Sequence, residues 1–216
     1  LCDSLQKKDR FETFPAFSPD GRTLYFCSAE AKKIPEEYKE IRYNLCSIDF
    51  DPSAGTFGSR IDTLVNAEAL GKSVSFPRPS YDGKYIMFTL SDYGNFSIWH
   101  KEADLWLLDL TSGDLRKLSE VNSDDTESFH NWSSNSRWFV FSSRRGDGLY
   151  TRLYLASMDE NGKISKPFLL PQEDPETYYD RSVYSYNVPD FTSEPIKIDT
   201  RVFEKKITSK ERIQVQ

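Results

Sequence analysis

The sequence predicts an all-β chain of repeated four-stranded antiparallel units, on three observations. A segment of about thirteen residues recurs three times, each copy is followed by strand-like runs in the same order, and tight-turn residues separate the runs. The chain has 216 residues, with 29% charged, 14% aromatic and a formal net charge of -6. With a mean hydropathy of -0.63 and a pI near 5.1, it reads as a folded globular chain. The longest apolar stretch lies near Leu105, Trp106, Leu107 and Leu108, far short of the roughly 18 residues that span a bilayer. The acidic balance argues against nucleic acid as a partner, because phosphate binding needs a clustered basic face.

The first copy runs Phe14-Pro15-Ala16-Phe17-Ser18-Pro19-Asp20-Gly21, then Arg22 to Phe26. The second runs Phe76-Pro77-Arg78-Pro79-Ser80-Tyr81-Asp82-Gly83, then Lys84 to Phe88. A third, Phe129 to Phe141, replaces Pro-Asp-Gly with Ser134-Asn135-Ser136, so the same residues do not fix its turn. The turn ends fall at Gly21, Gly83 and Ser136, giving spacings of 62 and 53 residues. One propeller blade typically takes about 40 to 50 residues, and long loops absorb the excess. In the turn, Pro presets φ, Asp bonds back to the local backbone, and Gly takes a conformation other residues resist.

After each turn comes an aromatic and β-branched strand, then a loop, then a second strand at Leu45 to Phe50, Leu105 to Leu110 and Leu153 to Met158. Turn chemistry follows at Asp51-Pro52-Ser53-Ala54-Gly55, Thr111-Ser112-Gly113-Asp114 and Asp159-Glu160-Asn161-Gly162, and a short last strand closes each unit at Arg60 to Val65, Leu115 to Leu118 and Ile164 to Leu170. The unit is one β-propeller blade, and three are expected, over about residues 11–65, 73–118 and 128–171. Residues 1–174 form the propeller portion and 175–216 a C-terminal tail, in which Val183 to Phe191 is expected to supply a strand to a blade begun elsewhere. Three blades are too few for a ring that typically has 4 to 8. The repeat count and the missing initiator Met point to the C-terminal part of a six-bladed or larger ring, the alternative being two chains closing one ring.

The Ser-Pro-Asp-Gly turns, and the run Phe141-Ser142-Ser143-Arg144-Arg145-Gly146 followed by Leu153-Tyr154, resemble the WD-like propeller repeat of the TolB family. That resemblance, strong in two copies, implies a non-catalytic module of the bacterial periplasm or cell envelope that binds a protein or peptide. The loops from Glu30 to Tyr43 and from Ser91 to Asp104 are longer than a hairpin needs and would project on one face. Candidate partner-binding residues are Tyr93, Phe96, Trp99, His100, His130, Arg144 and Arg145. Phe96 and Trp99 face a partner or tuck between blades, and the sequence leaves both open.

Catalytic signals are sparse. The Gly-x-Ser-x-Gly nucleophile elbow is absent, and Gly71-Lys72-Ser73 imitates a phosphate loop without its first glycine. Arg145-Gly146-Asp147 belongs to the repeat's own hairpin loop, and Asn95-Phe96-Ser97 and Asn131-Trp132-Ser133 fit a common glycosylation pattern. His130 replaces the proline of the first two copies and lies near Asp124, Asp125 and Glu127 in sequence. That grouping supports the alternative, a hydrolase or glycan-active propeller with a channel site near His130; lacking a second His, the acids read as a solvated crossover loop. No cofactor or metal is expected. Cys2, Cys27 and Cys46 are odd in number at no metal-like spacing, and Cys27 and Cys46 would face each other across neighbouring strands.

Overall fold

A computed structural model describes residues 5, 7–199 and 201–210; Cys2 lies outside them. The chain forms three four-stranded antiparallel sheets, each a simple meander. Blade A holds β1 (Arg10–Phe17), β2 (Thr23–Glu30), β3 (Asn44–Asp51) and β4 (Thr56–Val65). Blade B holds β5 (Ser73–Pro79), β6 (Tyr85–Ser91), β7 (Asp104–Asp109) and β8 (Leu115–Lys117). Blade C holds β9 (Glu127–Trp132), β10 (Trp138–Ser143), β11 (Arg152–Ser157) and β12 (Phe168–Leu169). The last strand of blade C, expected over Ile164 to Leu170, is reduced to two residues plus an isolated Met158–Ile164 bridge.

All three recurring turns close alike, the divergent third included. The hydroxyls of Ser18, Ser80 and Ser133 donate to Asp20, Asp82 and Asn135 at 2.6, 2.6 and 2.8 Å. The same oxygens accept from the amides of Thr23, Tyr85 and Trp138 at 2.9, 3.0 and 3.0 Å. Asn135 therefore substitutes for aspartate as an acceptor, and Ser136 takes the left-handed φ of 56° where Gly21 and Gly83 have 68° and 71°. Strain at Ser136 is offset across blades, since its hydroxyl accepts from the Asp82 amide at 2.9 Å.

The innermost strands β1, β5 and β9 lie side by side and each carries a bulge, where pairing skips from Thr13 to Ala16, from Ser75 to Arg78 and from Ser128 to Asn131. Each bulge holds a phenylalanine at positive φ: Phe14 at 53°, Phe76 at 54° and Phe129 at 46°. Their rings form a ladder across the blades, with centroids 4.4 Å apart for Phe14–Phe76 and 4.6 Å for Phe76–Phe129. Between blades A and B the core holds Cys27, Leu45, Val74, Ile86 and Phe88; between B and C it holds Leu105, Leu107, Trp132, Phe139 and Phe141. Cys27 pairs with Leu45, and Cys46 with Phe26. Successive strand residues alternate faces, so Cys27 enters the A–B core while Cys46 joins Leu24, Phe26 and Ile48 on the opposite side of blade A. The two thiols are free and do not face each other.

His130 is a core residue, not a channel group. It is 2% exposed, its Nε2–H donates to the Met87 carbonyl of the neighbouring blade at 2.9 Å, and Trp132 Nε1–H donates to Arg78 O at 3.1 Å. Burial drives its pKa down to about 3, aided by the nearby Arg78 charge and opposed by the Met87 carbonyl.

The segment Val183 to Phe191 joins no ladder in these sheets. The tail instead contains α1 (Pro175–Arg181), capped by Asp174 accepting from the Thr177 amide, and α2 (Arg201–Thr208).

Two outcomes follow from the ladder and from His130. Phe76→Ala removes the middle ring and should cost about 2–4 kcal/mol, more than Phe14→Ala, as read by urea unfolding; equal small losses would contradict a ladder role. Because folded His130 refuses a proton that the unfolded chain binds near its ordinary pKa of about 6.5, its contribution to stability is intact above that pH and falls by up to about 1.4 kcal/mol per pH unit between there and pH 3. In His130→Gln the pH slope of stability should flatten by that amount, and an unchanged slope rules the linkage out.

Candidate functional site

The loops joining the second and third strands of each blade, residues 31–43, 92–103 and 144–151, emerge on one face together with the crossovers 66–72 and 119–126. Local chemistry holds the middle loop down over the inner strands. Ser97 is buried and its hydroxyl hydrogen-bonds that of Ser75 on β5 at 3.0 Å, while the Gly94 amide donates to the Ile41 carbonyl of the first loop at 2.8 Å. Gly94 has to be glycine, because a Cβ there would sit 2.5 Å from the Tyr43 ring.

With its centre pinned, the loop displays its large side chains outward. Phe96, in left-handed backbone at φ 53°, is 78% exposed, and Trp99 is 62% exposed. The guanidinium of Arg144, from the blade C loop, lies 4.6 Å from the Trp99 ring centroid, and a second nitrogen of Arg144 donates to the Gly148 carbonyl. On the other side, Tyr93 packs against His100 at 4.1 Å and meets Tyr38 of the blade A loop edge-on at 5.7 Å. His100 is itself buried, with Nδ1 3.2 Å from Glu102. Tyr93, Phe96, Trp99, His100 and Arg144 are thus brought together on one face, the first and fourth as supports and the others as display.

Arg145 and His130 do not join them. Arg145 turns inward: it donates to Glu127 at 2.9 Å, to Ser143 Oγ at 2.9 Å and to the Val121 carbonyl at 2.5 Å, and lies over the Tyr154 ring at 4.6 Å. Glu127 is fully buried and also accepts from the Ser123 amide at 2.9 Å, the Ser123 hydroxyl at 2.6 Å and the Ser143 hydroxyl at 2.8 Å. Burial raises its pKa, against the lowering pull of Ser123 and Arg145. A carboxylate with three donors and a guanidinium has the partners a buried charge needs, so the pair fastens the 119–126 crossover to blade C. Among the described residues no group of three or more His, Cys, Asp or Glu side chains is placed to hold a metal.

Sequence reasoning missed four exposed apolar side chains on the same face: Ile34, Tyr38, Leu70 and Leu149. They are scattered over two loops and a crossover, and only the strand order reveals that these share a face. Together with Phe96 and Trp99 they place exposed apolar side chains on the loops of all three blades.

Comparison with protein-family models and with curated proteins finds no match. Among solved structures, a Mycobacterium tuberculosis puromycin-hydrolyzing peptidase is similar at a TM-score of 0.51 and 15% identity, over 76% of this chain and 24% of that one. TolB from Acinetobacter baumannii gives 0.44 and 19%, over 76% of this chain and 33% of that one. The β-propeller domain of the Trilobed protease from Pyrococcus furiosus gives 0.44 and 16%, over 77% and 44%. This chain therefore spans less than half the length of each. Likeness at such identity speaks to fold alone, and with the three meandering sheets it establishes that the chain has the β-propeller fold, as a partial propeller of three four-stranded blades.

Proposed function

We propose that this chain is a non-catalytic propeller module that captures a protein or peptide partner on its loop face. The observation that carries this reading is the exposed pair Phe96 and Trp99, with Trp99 held under Arg144. Exposed aromatic anchors that lose little side-chain freedom on binding are what interface hot spots require. The polar network beneath them is engaged in support, and His130, buried and held neutral by its surroundings, is out of reach of a substrate. Resemblance of the Ser-Pro-Asp-Gly turns to the TolB family supports the bacterial periplasm or cell envelope as the compartment.

The double variant Phe96→Ser, Trp99→Ser should abolish partner capture from a cell-envelope extract while shifting the thermal midpoint by only about a few degrees, since both side chains are mostly exposed and the left-handed backbone at position 96 is retained by either residue. Arg144→Ala should weaken capture by up to about tenfold, the loss of roughly one cation–π contact. Capture that survives the double variant would refute the reading.

A further inference from the structure

We propose that residues 185–191 hold the place of the inner strand of a fourth blade, and that their free edge takes an extended β-strand from a partner polypeptide. The evidence is the joint between blades. Where blade B meets blade A, the Val74 amide donates to the Tyr43 carbonyl at 2.9 Å; where C meets B, the Glu127 amide donates to the Ala103 carbonyl at 2.8 Å. Against blade C, the Tyr186 amide donates to the Thr151 carbonyl at 3.1 Å. Tyr43, Ala103 and Thr151 each immediately precede the third strand of their blade, so the three bonds are equivalent.

The register holds along the whole segment. One residue earlier, Ser73 Oγ accepts from the Tyr43 amide at 2.9 Å, and Ser185 Oγ from the Thr151 amide at 3.3 Å. At the matching place on the second strand, Thr89 Oγ1 donates to the Glu127 carbonyl at 3.4 Å and Ser142 Oγ to the Tyr186 carbonyl at 2.8 Å. Two residues after Val74, Glu127 and Tyr186 come Phe76, Phe129 and Val188, all at positive φ, the last at 52°. Val188 is a β-branched residue, for which that backbone is a genuine outlier, and Pro189 follows it as Pro15 and Pro77 follow Phe14 and Phe76.

The copy then stops for a stereochemical reason. Thr192 matches the turn serines, but the place of Gly21, Gly83 and Ser136, with φ between 56° and 71°, falls to Pro195. Proline is locked near φ −65°, so the turn cannot close in the same way and among the described residues no second strand follows; Ile196 and Ile198 stay exposed. In the complete blades Thr13 and Ala16 pair with Cys27 and Tyr25, Ser75 and Arg78 with Thr89 and Met87, and Ser128 and Asn131 with Ser142 and Val140. Their counterparts Asn187 and Asp190 have no backbone partner among the described residues. An antiparallel strand fits this edge by β-augmentation. By the pattern of Leu24 and Phe26, Ile86 and Phe88, and Phe139 and Phe141, it carries two large apolar residues at i and i+2, turned toward blade C.

A labelled synthetic peptide with the sequence of residues 83–91 tests this on the full chain by binding and by amide hydrogen exchange. We expect it to bind, to slow exchange at Asn187 and Asp190 at least tenfold, and to do neither when Ile86 and Phe88 of the peptide are aspartate or when the chain carries Tyr186→Pro. Blade amides should stay protected in that variant, which separates a lost edge from a lost fold. Absence of binding, or binding that leaves those two amides unchanged, overturns the proposal. So does protection that grows with protein concentration without peptide, which assigns the edge to a second copy.

Discussion

The contact on which the architecture rests is the stack of Phe14, Phe76 and Phe129. A phenylalanine at positive φ is strained, at a cost of about 1–3 kcal/mol, and three such residues in a row would be untenable if each stood alone. The bulge that carries the strain also re-aims the side chain, turning it from its own sheet toward the neighbouring blade. Each ring then gains apolar burial and a tilted aromatic contact worth about 0.5–1.5 kcal/mol beyond that burial. Because the middle ring serves two contacts, the strain at one bulge is offset only if the next blade has its bulge at the same height. The ladder thereby fixes blade register as well as blade adhesion.

That register determines what the loops can do. With β1, β5 and β9 held level, the three second-to-third-strand loops end at a common height and can lean on one another, as Tyr38 on Tyr93 and Arg144 on Trp99 do. The polar groups beneath them are taken up in fastening. Glu127 and Arg145 tie a crossover to blade C, Ser75 and Ser97 hold the middle loop down, and the imidazole of His130 ties β9 to β6. A face whose buried polar atoms are largely engaged in structure and whose loops expose aromatic and aliphatic side chains is in keeping with the binding role proposed above.

Much of this was legible in the sequence. The repeat gave the blades because turn chemistry and strand alternation are local, and Phe14, Phe76 and Phe129 head its three copies. Their positive φ was not legible, since nothing about a phenylalanine before a proline or histidine announces a left-handed bulge. Charge and imidazole suggest solvent or ligand, but His130 lies within the β9 bulge, which shifts the strand alternation, and Arg145, in a loop, is drawn inward by Glu127 and the Val121 carbonyl. Cys27 and Cys46 lie on adjacent strands, and a register offset of one residue puts them on opposite faces.

The tail was legible only in part: alternation marks Val183 to Phe191 as a strand for a blade begun elsewhere, but does not place it beside blade C. What identifies an inner strand here is the joint between blades, and its central bond runs from one backbone amide to one backbone carbonyl: Val74 to Tyr43, Glu127 to Ala103, Tyr186 to Thr151. Valine, glutamate and tyrosine share no side-chain property, so a joint made by the main chain leaves almost no trace in composition. What remains is a hydroxyl one residue earlier, at Ser73, Thr126 and Ser185, and a left-handed residue two positions later. Such a pattern is too sparse to find by self-similarity, but it is sufficient to dock a strand. The same reasoning explains how the unit tolerates divergence. Blade C keeps its place with Asn135 and Ser136 in its turn and two residues in its last strand, because the inner strand makes the backbone joint while Phe139, Phe141 and Ala156 of its second and third strands fill the core against blade B.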